Sequence, residues 1–120
     1  MERKDVKKMD TFIHYALAAA DFAMKDAGLP KPAGEEAHRT GVVVGSGIGG
    51  LPLIEENHGE AMTRGPRRIS PFLIPGAIIN MISGHVSILH GLRGPNFAIV
   101  SACTTGLHSI GESGRLIERG

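Results

Sequence analysis

Asn96-Phe97-Ala98-Ile99-Val100-Ser101-Ala102-Cys103-Thr104-Thr105-Gly106 is the stretch from which the fold reads outward. Its first five residues form the apolar run of a buried strand. The small and hydroxyl residues that follow let the backbone turn into a helix from about Thr104 to Arg119, with Gly120 where a C-terminal glycine ends it. A second strand-to-turn passage lies upstream. Thr40-Gly41-Val42-Val43-Val44 is β-branched and runs straight into Gly45-Ser46-Gly47-Ile48-Gly49-Gly50. Between the two strands the pattern predicts a helix from about Leu51 to Met62, a basic turn at Gly65-Pro66-Arg67-Arg68, and a buried helix from about Pro75 to His90 ended by Gly91. Ahead of them, Phe12, Ile13, Ala16, Leu17, Ala20, Ala23, Met24 and Ala27 recur at helical spacing, with Asp10 or Thr11 as N-cap and Gly28 and Pro30 as the stop. Pro30 to Arg39 reads as a polar loop.

Strand, helix, helix, strand, helix is an α/β order, and continuously apolar strands imply a sheet covered by helices on both faces. A sheet normally needs three or more strands for independent stability. Residues 1–120 are therefore expected to hold an incomplete sheet and no complete domain, as a piece of a longer chain.

The chain has 120 residues, 42% of them hydrophobic, and a formal net charge of +1, which excludes disorder, collagen and a predominantly nucleic-acid-binding role. Charge is unevenly spread, and Ala61 to Gly111 contains no carboxylate side chain. Cys103 stands alone, so no internal disulfide is possible, and Met1 to Asp10 lacks the apolar core of a signal peptide. The cytoplasm is the expected compartment. Ile69 to Leu92 carries no Asp, Glu, Lys or Arg, yet Pro71, Pro75, Asn80, His85 and His90 interrupt it. Its helical part falls short of the ~20 residues a membrane span requires, so no membrane association is expected.

Cys103 is the candidate for chemistry. At a helix N-terminus, unpaired N–H groups and the helix dipole favour thiolate over thiol, and small neighbours leave the sulfur accessible, as in a nucleophile elbow. On spacing alone a lone cysteine after a strand is more often an inert small hydrophobe than a nucleophile. His108 lies five positions on, about 140° around a helix, and is expected to point away from the sulfur. His85 and His90 share that spacing and no common face, so neither a Cys-His dyad nor a metal site emerges. Gly45, Gly47 and Gly50 match G-x-G-x-x-G, but the acidic residue expected ~20 positions further on is missing. A tight turn packed against a neighbouring backbone is the simpler reading, with Ile48 at its tip facing a cavity or partner. Arg3, Lys4, Lys7 and Lys8, and Arg64, Arg67 and Arg68, form two basic groups; together in space, they would suit an acidic protein or a phosphate-bearing arm.

Five blocks in order carry a resemblance: Gly45-Ser46-Gly47-Ile48-Gly49-Gly50-Leu51, Ile54-Glu55-Glu56-Asn57-His58, Gly65-Pro66-Arg67-Arg68-Ile69-Ser70-Pro71-Phe72, Gly91-Leu92-Arg93-Gly94-Pro95 and Ser101-Ala102-Cys103-Thr104-Thr105-Gly106. On these, the chain resembles the β-ketoacyl-[acyl-carrier-protein] synthases, and among them the type II enzymes of bacterial fatty-acid synthesis. The resemblance implies a thiolase-like fold of two related α/β halves in alternating layers, usually a homodimer, with no cofactor and no metal. Cys103 matches the nucleophile that takes an acyl chain from acyl carrier protein before decarboxylative condensation with malonyl-carrier protein, and its backbone N–H matches an oxyanion-hole donor. Ile48, Leu73 and Ala102 match positions lining the acyl pocket, Leu73 reaching across the dimer. Lys4, Lys7, Lys8, Arg67 and Arg68 match the basic surface that meets the carrier protein.

The family's active-site histidines, lysine and C-terminal glycine-rich loop match nothing here, so these 120 residues alone are expected not to condense. The alternatives are a non-catalytic remnant or module that binds acyl carrier protein or a full-length synthase, and, more remotely, a dinucleotide enzyme.

Overall fold

The computed structural model describes Val6 and residues 8–120. Lys4 and Lys7, two of the expected carrier-binding residues, lie outside the described residues, as does Arg3. The elements run α1 (Thr11–Asp26), α2 (Gly34–Arg39), β1 (Val42–Val43), α3 (Leu51–Arg64), α4 (Leu73–Ala77), α5 (Met81–His90), β2 (Asn96–Phe97) and α6 (Thr105–Glu118). Short 3-10 turns occupy Pro66–Arg68 and Ala102–Thr104. The strands pair in parallel, Val42 opposite Asn96 and Val43 opposite Phe97, which makes the fragment α/β with a small partial sheet.

The helical spacing of the first segment produces α1, whose inward Ile13 and Leu17 are buried while Tyr15 and Phe22 face out. Ile13 and Leu17 pack with Val42 of β1, Val86 of α5 and Leu92 into the core, flanked by Met9, Phe12 and Met81. Asp10 takes the N-cap position of α1, but its side chain makes no cap there. Its carboxylate instead accepts a hydrogen bond from the Leu53 N–H in the first turn of α3, at 2.8 Å.

Three expectations need correction. Residues 34–39 are not loop: Glu35 and Glu36 in the first turn and His38 and Arg39 in the last complement the helix dipole of α2. The expected helix from Pro75 to His90 is two, separated by Ile78 in extended conformation. Its ladder is cut because two carbonyls that a continuing helix would use are engaged elsewhere: Gly76 O accepts from Asp10 N at 3.1 Å and Ala77 O from Gly50 N at 2.9 Å. Finally, the second strand is short and open rather than buried. Asn96 and Phe97 are exposed, as is Val100, whereas Val42 of β1 is buried beneath the helices.

The last helix, α6, is inverted relative to an ordinary surface helix. Thr105 and Ser109 are buried against the rest of the chain, while Leu107, Ile110 and Ile117 are exposed. Ser109 Oγ donates to Thr105 O at 2.9 Å and Ser113 Oγ to Ser109 O at 2.7 Å, so the inward hydroxyls are satisfied within the helix itself. Among the described residues no helix is long and apolar enough to cross a membrane.

Candidate active site

The turn from β2 into α6 is where chemistry can be built. After Val100 the chain passes through Ser101 (φ −150°, ψ 45°) and Ala102, whose φ of +50° is the left-handed region that side chains rarely adopt. That conformation costs roughly 1–2 kcal/mol and persists only where neighbours hold it. Thr105 does so from both sides: its Oγ1 accepts from Ser101 N at 2.9 Å and donates to Ala102 O at 2.8 Å. The sharp turn throws Cys103 outward, leaving an exposed thiol immediately before the first turn of a 14-residue helix. An exposed thiol on a tight turn at the head of a helix is open to an incoming electrophile, the first requirement of a nucleophile.

The glycine loop packs onto this elbow, as the simpler reading of its glycines anticipates. A Cβ on Gly45 would overlap the Ile99 carbonyl oxygen and meet Thr105 Cγ2 at 2.5 Å, and one on Gly47 would stand 3.4 Å from Ala102 O. Ile48 at the tip is 72% exposed and lines an open apolar groove of about 420 Å³ with Ile54, Ile78, Ile79, Ala98 and Val100. Neither Ala102, on the elbow beside Gly47, nor Leu73, half-buried at the start of α4, lines that groove. The structure thus brings Ile48 and Ala102 onto neighbouring segments and leaves Leu73 apart. A dinucleotide site is physically unfavourable here. The α3 N-terminus already faces the Asp10 carboxylate, and Gly50 N is bonded to Ala77 O, so a pyrophosphate would meet a like charge and spent donors.

Arg67 and Arg68 are exposed on the 3-10 turn that follows Gly65, and among the described residues neither forms an ion pair. Arg64, by contrast, is tied to Glu60 at 2.9 Å. Lys8 joins the neighbourhood of the turn: its Nζ lies 5.1 Å from the centroid of the Phe72 ring. The segment is held by Asn57, which is buried on α3. Its Oδ1 accepts from Ser70 N at 2.7 Å and its Nδ2 donates to Leu53 O at 2.9 Å. Asn57 belongs to the Ile54–His58 block, but sequence patterning offers no signal for a polar side chain that turns inward to brace a loop thirteen positions away.

His108 Nδ1 lies 2.8 Å from Ser101 Oγ, so its hydrogen bond on the elbow goes to Ser101 and not to the Cys103 sulfur. His85 and His90 each carry a buried Nε2 with no hydrogen-bond partner among the described residues. Among those residues no three His, Cys, Asp or Glu side chains converge as a metal site.

A strand-turn-helix elbow bearing an exposed cysteine, with a glycine loop packed against it, is an arrangement suited to a nucleophile. The family description "Beta-ketoacyl synthase, N-terminal domain" matches residues 1–120, and the chain belongs to that family. It is 54% identical over 120 residues to 3-oxoacyl-[acyl-carrier-protein] synthase 2 of Vibrio cholerae serotype O1, covering 100% of this chain and 29% of that protein. The same named enzyme of Vibrio harveyi is 53% identical with the same coverage. The chain therefore spans 29% of the length of these curated relatives. A solved type II polyketide ketosynthase in complex with its acyl-carrier protein superposes with a TM-score of 0.88 at 22% identity, covering 100% of this chain and 34% of that one, which shows the shared fold.

Proposed function

We propose that this chain carries the nucleophile of a 3-oxoacyl-[acyl-carrier-protein] synthase of fatty-acid biosynthesis, acting in the cytoplasm. The observation that carries the reading is the exposed Cys103 thiol at the head of α6 on a backbone held in a left-handed turn. The Cys103 thiolate attacks the carbonyl carbon of an acyl thioester on acyl carrier protein. A C–S bond to Cys103 forms, the C–S bond to the carrier's prosthetic arm breaks, and the carrier thiolate leaves to take up a proton. Malonyl-carrier protein then loses CO2, and the resulting enolate carbon attacks the Cys103 thioester. The new C–C bond forms as the C–S bond breaks, and the thiolate is regenerated.

The tetrahedral intermediate in each step places negative charge on the former carbonyl oxygen, which the Cys103 backbone N–H is positioned to receive. Ile48, Ala102 and Leu73 form part of the acyl pocket, Leu73 being contributed across a homodimer; the apolar groove at Ile48 supports the place of Ile48. Lys8, Arg67 and Arg68, with Lys4 and Lys7, receive the acidic carrier protein. Two exposed arginines without ion pairs among the described residues, with Lys8 packed on the same segment, support that surface. The complete cycle belongs to the protein at full length, and the 120 residues alone are expected not to condense. The test supplies the full-length protein with hexanoyl- and malonyl-carrier proteins. Formation of the 3-oxo product, lost in Cys103→Ser, supports the reading; CO2 release without C–C bond formation, or no reaction, overturns it.

A further inference from the structure

Serine at the N-cap of a helical turn ordinarily folds its hydroxyl back onto the N–H two or three residues ahead. Ser101 occupies that position before the Ala102–Thr104 turn and makes no side-chain cap. The Thr104 N–H is bonded to Ser101 O at 3.1 Å, and the Cys103 N–H has no hydrogen-bond partner among the described residues. What holds the hydroxyl away is His108, one turn along α6, whose Nδ1 lies 2.8 Å from Ser101 Oγ.

We infer that His108 is a positioning residue: by holding the Ser101 hydroxyl, it prevents Ser101 from capping the Cys103 N–H and keeps that donor free for the oxyanion of the reacting thioester. This rests on the function proposed above and adds to it a residue that never touches the substrate. Thr105 and His108 then divide the work of holding the elbow. Thr105 fixes the backbone through Ser101 N and Ala102 O, while His108 governs only the Ser101 side chain. Losing His108 should leave the elbow standing and spoil one donor.

The experiment uses the full-length protein with hexanoyl-carrier protein and measures Cys103 acylation for wild type, His108→Ala and His108→Ala with Ser101→Ala. Alkylation of Cys103 by iodoacetamide is measured in parallel, because that substitution develops no oxyanion. The expected result for His108→Ala is acylation slower on the order of tenfold, the factor for breaking a capping hydrogen bond before the oxyanion binds, with alkylation unchanged. Removing the Ser101 hydroxyl as well should recover most of the loss. Equal loss in single and double variants, loss of alkylation in step with acylation, or no loss in His108→Ala would each overturn the inference. A wild-type protein that alkylates but takes up no acyl group overturns the function on which it rests, a result distinct from any of these.

Discussion

The carboxylate of Asp10 accepts a hydrogen bond from the Leu53 N–H at 2.8 Å, across 43 positions of sequence. One side chain thus joins the start of α1 to the first turn of α3, and the Asp10 N–H, bonded to Gly76 O at 3.1 Å, adds the end of α4. Asp10 is 7% exposed, so its loss strands donors away from water. Asp10→Ala should destabilise the protein by about 1–2 kcal/mol, the range of a lost cap. Asp10→Asn, which keeps an acceptor oxygen, should cost less. Thermal unfolding of both variants of the full-length protein checks the order; equal melting temperatures for wild type and Asp10→Ala would contradict it.

Gly45→Ala should be more severe. The added methyl overlaps the Ile99 carbonyl oxygen, a backbone atom that can yield only by moving the strand that leads to Cys103. A loss of about 3 kcal/mol or more is expected, in the upper range for overpacking. The readout is soluble yield together with Cys103 alkylation, both of which should fall.

Reversing charge in Arg67→Glu with Arg68→Glu should raise KM for acyl-carrier protein at least roughly tenfold while changing kcat little, because rim charges act on encounter. Added salt should narrow the gap between wild type and variant. A kcat effect at unchanged KM would place these arginines elsewhere in the mechanism.

Ile48→Phe should narrow the groove shared with Ile78, Ala98 and Val100, and shift preference toward shorter acyl chains. Competition between hexanoyl- and dodecanoyl-carrier proteins measures it. The exposed Leu107, Ile110 and Ile117 on α6 make a companion prediction: the 120-residue chain alone should bind a hydrophobic dye and unfold without a sharp transition.

Where sequence periodicity and packing agree, the elements were legible. Ile13 and Leu17 recur at helical spacing and are buried, and Gly91 ends α5 in the left-handed conformation. The break at Ile78 was invisible to hydropathy, since apolar residues continue through it; the only local sign is Asn80, which takes the N-cap position of α5. The cause lies in Asp10 and Gly50, distant in sequence, which claim the carbonyls of Gly76 and Ala77. The exposed β2 was misjudged for a related reason: apolar residues report that a strand is to be covered, not which part of a chain covers it. The tight turn that exposes Cys103 was legible in the small and hydroxyl residues between strand and helix. Asn57 and His108 were not, because a buried amide and a histidine on a helix gain their meaning only from partners at Ser70 and Ser101.

In the proposed reaction everything turns on Cys103 carrying the acyl group. Incubating the full-length protein with hexanoyl-carrier protein, then measuring the mass of the peptide that contains Cys103, tests it most directly. The expected result is one hexanoyl group in thioester linkage on that peptide, removed by hydroxylamine and absent in Cys103→Ala, whose fold should survive because the replaced side chain is exposed. An unmodified Cys103 peptide, or an acyl group on another residue, would contradict it.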